Sequence, residues 1–339
     1  MSAVRPELFG AARQVLDSLG HAASDRLLIT TDTAGDQAVV QALAAAALAA
    51  NGRPVVLCLP QLPYQGKLAD PYLPEPLEGA AARADLWIDL TFPYIAGSAL
   101  HDRIMRQGHA RYLLASDLSA DALPRLFGGV DLDRYFDVQA GLDALVADAV
   151  GETARITTPH GTDVSFTIAK PALVKPRRAQ APGLYLIPGA ATLTPEIDTV
   201  RGRIMLECVF HEYYTRLAEP IALEVDGRIR TVAGGGAERA ILERALRRAG
   251  GGEYGYVIHF THGLHPAARF TGRCFVEDMR VPGSDAVGLG LPWWQPDGGE
   301  NHPDGVLSMQ SLWIAGTRIV ADGAIAAPRG LAERAAALA

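Results

Sequence analysis

Residues 25–59, DRLLITTDTAGDQAVVQALAAAALAANGRPVVLCL, settle the architecture of the first half of the chain. DRLLIT (25–30) is a short apolar strand bounded by polar residues, and the segment after it is rich in strong helix formers until Asn51 and Gly52 stop it. PVVLCL (54–59) is the next strand, and ADLWIDL (84–90) and RYLLAS (111–116) repeat the pattern. Short strands that are apolar on both faces, with helical stretches between them, predict a parallel sheet covered by helices. The layout is Rossmann-like, yet TTDTAG stands where GxGxxG would follow the first strand, and no GxxxxGK[ST] occurs anywhere. This half is therefore read as scaffold, substrate-cleft wall or oligomer surface, not as a nucleotide site.

The style of the chain changes near residue 153. ETARITTPHGTDVSFTIA (152–169) reads as two strands joined through Pro159 and Gly161, with Thr162 and Asp163 able to cap the turn. Strand-like pieces follow in GLYLIPG (183–189), RIMLECVF (203–210), IALEVDGRIRTVAG (221–234) and YGYVIHF (254–260), with a helix from about 236 to 248. The expected organisation is α/β: a Rossmann-like parallel-sheet domain over 1–152, then an α+β metal-binding domain over 153–339. Residues 263–305 are so rich in Gly and Pro that they read as a long functional loop or lid.

Composition narrows the function classes. The 339 residues carry a formal net charge of -7 and show no long basic stripe, so nucleic acid is not an expected partner. The Ala-rich run at 38–50 is too short to span a bilayer, and the N-terminal residues never build the apolar run of a secretory signal. Three scattered cysteines, Cys58, Cys208 and Cys274, point to neither a disulfide framework nor a thiolate site. A cytoplasmic enzyme acting on small molecules is the expectation, with no membrane partner.

Chemistry concentrates late in the chain, where six of the nine histidines follow residue 159. ENHPDG places His302 and Asp304 two apart, a spacing that puts both side chains on one face of an extended backbone. YVIHFTHGLHPAARFTG (256–272) is an apolar strand with His259 near its end, running into a turn that carries His262 and His265. His259, His302 and Asp304 make a two-histidine, one-carboxylate set, a donor combination suited to Fe(II), Mn(II) or Zn(II). His262 and His265 are candidate pocket residues, and either is an alternative ligand to His259.

PHGTDVSF, LIPGAATLTPEIDTVRGRI, HFTHGLHPAARFTG, FVEDMRVPGSDAVGLG and ENHPDG, in this order, resemble the M29 (aminopeptidase T) superfamily and, within it, the 2,5-dihydroxypyridine 5,6-dioxygenases. The resemblance covers most of the chain. In the peptidases, the segment matching PGAAT carries a metal-binding glutamate where this chain has Ala190 and Ala191, and a second glutamate falls on His259. A peptidase histidine falls on Asp285, and a tyrosine expected around Pro292 is absent. The dioxygenases instead hold one Fe(II) with two histidines and an aspartate, which match His259, His302 and Asp304.

The resemblance implies oxygenolytic cleavage of a dihydroxylated aromatic ring or N-heterocycle with O2, in a homo-oligomer, with a nearby base taking a hydroxyl proton. His211 in VFHEYY is the candidate base, and His160 a second. Glu277 and Asp278 are candidates for orienting a ligand histidine. Trp293 and Trp294 are candidates for walling the substrate, and Arg269 and Arg273 for countering an anionic group on it. Two rivals stand beside this reading: a zinc or cobalt hydrolase with Glu207 or Glu277 as base, and a metal-free binding protein on the same fold.

Overall fold

In the computed structural model, which describes residues 5–171, 178–292, 302–328 and 330–338, the first helix α1 (Pro6–Ser18) leads into strand β1 (Leu27–Asp32). β1 is buried along its whole length, as a central parallel strand covered on both faces must be. Helix α2 (Gln37–Ala49) starts where the Asp36 carboxylate accepts the Ala38 N–H at 3.0 Å. The alternation continues through β2 (Val55–Leu59), α3 (Glu75–Ala81), β3 (Leu86–Asp89), α4 (Ala99–Gln107), β4 (Arg111–Leu114) and α5 (Ala122–Phe127).

After α6 (Leu132–Asp148) and the hairpin of β5 (Thr153–Thr157) and β6 (Asp163–Thr167), the chain comes back with β7 (Gly183–Leu186). β7 lies parallel to β4 and completes a sheet of order β2-β1-β3-β4-β7. GLYLIPG, read from sequence as part of the later domain, is thus a strand of the first sheet; a short apolar run carries no local mark of the strand it will pair with.

Two carboxylates sit at the C-terminal ends of the central strands. Asp32 accepts the N–H groups of Ala34 and Phe92, at 2.8 and 2.7 Å. Asp89 accepts from the hydroxyls of Thr30, Thr91 and Tyr112 and from the Ile95 N–H. Burial pushes the Asp89 carboxyl above its ordinary range, against the pull of those hydroxyls. Trp87 and Tyr112, meeting edge to face at 4.8 Å, anchor the apolar cluster on one side of this sheet.

The chain forms two compact units, Met1–Val130 with Val174–Pro188 and Asp131–Leu173 with Gly189–Ala339. The change of sequence style near 153 therefore falls inside the second unit, which begins with α6. This unit adds β8 (Ala190–Leu193), β9 (Arg201–Phe210), β10 (Tyr214–Asp226), β11 (Arg228–Gly234), α7 (Gly236–Ala249), β12 (Tyr256–Gly263), α8 (Phe275–Asp278), β13 (Asp285–Gly290) and β14 (Asp304–Leu307). It ends with β15 (Ser311–Ile314), β16 (Thr317–Ala321), β17 (Ala324–Ile325) and α9 (Leu331–Ala336).

Its antiparallel sheet runs β17-β16-β15-β5-β6-β9-β14-β13-β12-β8, with β10 on β9 and β11 on β10. Phe166 of β6 stacks on Phe260 of β12 at 4.7 Å although three strands separate them in the sheet, so the sheet is strongly curved. A parallel-sheet unit followed by a largely antiparallel one is the mixed α/β class read from the sequence. The turn-rich 263–305 stretch is not one loop, because α8, β13 and the first residues of β14 lie within it. Among the described residues, no helix is long and apolar enough to cross a membrane.

Candidate metal centre

Four neighbouring strands, β12, β13, β14 and β9, build the site by register. His259 pairs with Gly288, Gly288 with Asp304, and Asp304 with Phe210. Directly paired residues point to the same face of a sheet, so His259, Asp304 and Phe210 share one face, with the single strand β13 between the histidine and the aspartate. Gly288 makes the reach possible. A Cβ there would lie 2.2 Å from His259 Nε2, which means that the imidazole lies over the glycine on its way to Asp304. His259 Nε2 comes to 3.3 Å from Asp304 Oδ1.

His302 arrives from the chain just before β14, with its Nε2 3.7 Å from Asp304 Oδ2 and its ring 5.7 Å from that of His259, centroid to centroid. Ligand atoms of the three residues all lie within 4.8 Å of one another. Metal bonds of about 2.1 Å separate ligand atoms by about 3.0 Å at right angles and about 3.4 Å in a tetrahedron, so modest closure places all three on one ion. Two neutral nitrogen donors and one carboxylate also suit a borderline divalent metal chemically. Asp304 is 4 % exposed at its side chain and both histidines are half-buried, so the centre is shielded but reachable.

The family model of NicX, 2,5-dihydroxypyridine 5,6-dioxygenase, matches residues 7–287. The chain belongs to this family. It is accordingly an enzyme of the dioxygenase class. The match ends before His302 and Asp304, which the fold alone brings to His259.

A 2,5-dihydroxypyridine dioxygenase from Pseudomonas putida KT2440 superposes with a TM-score of 0.75 at 18% identity, over 96% of this chain and 98% of that one. Wild-type AmpT from Thermus thermophilus superposes with a TM-score of 0.65 at 13% identity, over 96% of this chain and 100% of that one. At such identities the two share the fold. No curated protein sequence matches.

For a NicX family member, several sequence candidates fall elsewhere than expected. His262 is an odd number of residues from His259 on the same strand and points to the opposite face, beside its cross-strand partner Asp285 at 3.1 Å and Gln310 at 2.6 Å. It is a core residue, and the geometry removes it as a replacement ligand. His265 is wholly buried, tilted against Tyr135 of α6 at 5.5 Å, with the Ala267 N–H directed at its Nδ1. Arg269 and Arg273 are exposed, and Trp293 and Trp294 lie outside the described residues.

Glu277 accepts the Arg269 N–H, and Asp278 accepts from Thr271, Gly272 and the Tyr214 hydroxyl. Asp278 therefore organises the 271–272 turn and orients no histidine. Thr162 and Asp163 serve the hairpin: Thr162 Oγ1 accepts the Met205 N–H at 2.9 Å, and Asp163 pairs with Arg155.

The two candidate bases sit in different surroundings. His211 is fully buried, and its Nδ1 accepts the Glu212 N–H at 2.8 Å, so the neutral ring carries its proton on Nε2, 3.8 Å from Glu238. That leaves no lone pair for a substrate proton and argues against His211 as the base. His160 has its Nδ1 3.1 Å from Glu207, which is itself held by the Ser308 N–H and hydroxyl.

Burial lowers the His211 pKa, against the opposing pull of Glu238 and Glu212. The unfolded chain then takes up this proton first as pH falls, so stability is full above about pH 6.5 and declines through the histidine range. His211→Gln is expected to flatten that decline, read as urea midpoints between about pH 5 and 7.5.

The sequence reading missed the aromatic group beside the carboxylate. Phe210, the cross-strand partner of Asp304, packs on Phe275 at 4.9 Å, and Tyr214, the partner of Phe210 on the far side, meets Phe275 at 5.5 Å. The alternation within RIMLECVF was the available signal.

Proposed function

We propose that the chain is a mononuclear Fe(II)-dependent ring-cleaving dioxygenase whose substrate is a dihydroxylated N-heterocycle such as 2,5-dihydroxypyridine, with O2 as co-substrate. The observation that carries the reading is the convergence of His259, His302 and Asp304 at one point in a member of a dihydroxypyridine dioxygenase family. The aspartate supplies the single negative charge of the donor set, leaving a bound divalent ion with net positive charge to attract a ring hydroxylate. Bound there by these three residues, Fe(II) would supply the open positions and the redox chemistry that O2 needs in order to react with a closed-shell ring.

The protein's own contribution is placement. β13 and β9 hold the Asp304 backbone on both sides, and the Phe210, Phe275 and Tyr214 rings fill the space next to it with apolar surface that limits water. A cytoplasmic homo-oligomer is part of this proposal.

The reading is tested by loading metal-free protein anaerobically with Fe(II), or separately with Zn(II) or Co(II), and following oxygen uptake with 2,5-dihydroxypyridine beside hydrolysis of an aminoacyl anilide. Oxygen uptake with Fe(II) alone, and no anilide hydrolysis with any metal, is the expected result. Anilide hydrolysis with Zn(II) or Co(II), and no oxygen uptake, would transfer the protein to the hydrolases.

A further inference from the structure

The candidate metal centre continues into a pair of hydroxyls on the same sheet face. Thr261 lies two residues beyond His259 on β12, and its Oγ1 is 3.2 Å from His259 Nδ1. Thr192 of β8 is its direct cross-strand partner, with the two Oγ1 atoms 3.1 Å apart. Thr261 is buried and Thr192 is exposed, so the line of hydroxyls runs from the ring outward to solvent.

We propose that Thr261, backed by Thr192, is a positioning residue that holds His259 in the Nδ1-protonated tautomer, with the Nε2 lone pair turned toward Asp304 and His302. The metal half of this inference rests on the proposed function above. An imidazole can ligate only through a nitrogen that carries no proton, and its tautomer is set by what the other nitrogen meets. Without a partner at Nδ1, the Asp304 carboxylate 3.3 Å from Nε2 would draw the proton onto Nε2 and block that atom as a ligand. With the Nδ1–H donated to Thr261 Oγ1, the Thr261 hydroxyl donates onward to Thr192 Oγ1, whose own proton goes to solvent. Every donor in the line has an acceptor, and the ring is held in rotation as well as in tautomer.

Two readouts test this, one of them independent of any metal. In the metal-free protein, nitrogen-15 shifts of the His259 ring are expected to report an Nδ1–H tautomer in wild type and a mixed or Nε2–H form in Thr261→Val, which keeps the branched shape of the side chain and loses the acceptor. Anaerobic Fe(II) titration is expected to give about 10- to 100-fold weaker binding for Thr261→Val, near-wild-type binding for Thr261→Ser, and a smaller loss for Thr192→Val, with urea midpoints little changed. An Nε2–H tautomer in wild type, or Fe(II) binding by Thr261→Val as tight as wild type's, would overturn the proposal. Wild-type Fe(II) binding in Asp304→Ala would instead overturn the metal reading, so the two failures are told apart.

Discussion

Asp304→Ala is expected to fold, to lose at least about a thousandfold in divalent-metal affinity, and to consume no oxygen with 2,5-dihydroxypyridine. Asp304 provides the only anionic oxygen of the three-residue set, and its neighbours are imidazoles that cannot replace its charge. The fold has little to lose, because β14 is held through its backbone ladder to β13 and β9, which alanine keeps. The two effects separate in a thermal melt. Metal at 100 times its dissociation constant stabilises a protein that binds it by about 2.7 kcal/mol, so Fe(II) should raise the wild-type melting temperature by several degrees and leave that of Asp304→Ala unmoved. A variant that still shifts with Fe(II) would place the metal elsewhere.

Gly288→Ala should come close to the same loss of metal without touching a ligand. The added Cβ would lie 2.2 Å from Nε2 and 2.4 Å from Cδ2 of His259, far inside ordinary contact distance. The Gly288 backbone is not in the left-handed region, so β13 accepts alanine and the imidazole is what must move. Swung off the glycine, the ring no longer reaches two strands across to Asp304. Metal affinity should fall about 100-fold or more, with a stability change of less than about 2 kcal/mol. Gly305→Ala is the informative contrast. Its Cβ would meet Leu206 Cδ2 at 2.4 Å on the opposite face, so it should cost stability through overpacking and affect metal only secondarily. Wild-type metal affinity in Gly288→Ala would contradict the placement of His259.

These glycines also explain how much of the molecule could be read in advance. The strands of the first unit lie within about two residues of DRLLIT, PVVLCL, ADLWIDL and RYLLAS, because a short parallel strand writes itself as an unbroken apolar run, even at the edge position of β2, where Val55 and Val56 are exposed. DAVGLG (285–290) and DGVL (304–307) passed for loop because Gly288, Gly290 and Gly305 erase the β signature. Gly288 makes room for His259, Gly290 for Ala249 of α7, and Gly305 for Leu206. Close approach was the reason for glycine, and close approach is invisible in one sequence.

The donor set was legible at the level of residue type and local spacing, since His302 and Asp304 sit two apart in an extended segment. Choosing among His259, His262 and His265 needed strand parity, which was available only once 256–263 was known to be a strand. The supporting contacts were out of reach: Thr192 lies 69 residues from Thr261, and nothing local in either segment announces the pairing.

The most direct measurement is a single turnover of anaerobically Fe(II)-loaded protein with 2,5-dihydroxypyridine under isotopically labelled O2, with the product analysed by mass spectrometry. Both labelled oxygen atoms in a ring-opened product, one O2 consumed per substrate, and no product from His259→Ala or Asp304→Ala is the predicted result. An unchanged ring, a product carrying oxygen only from water, or full turnover by the Asp304→Ala protein would contradict the assignment of this site and this chemistry.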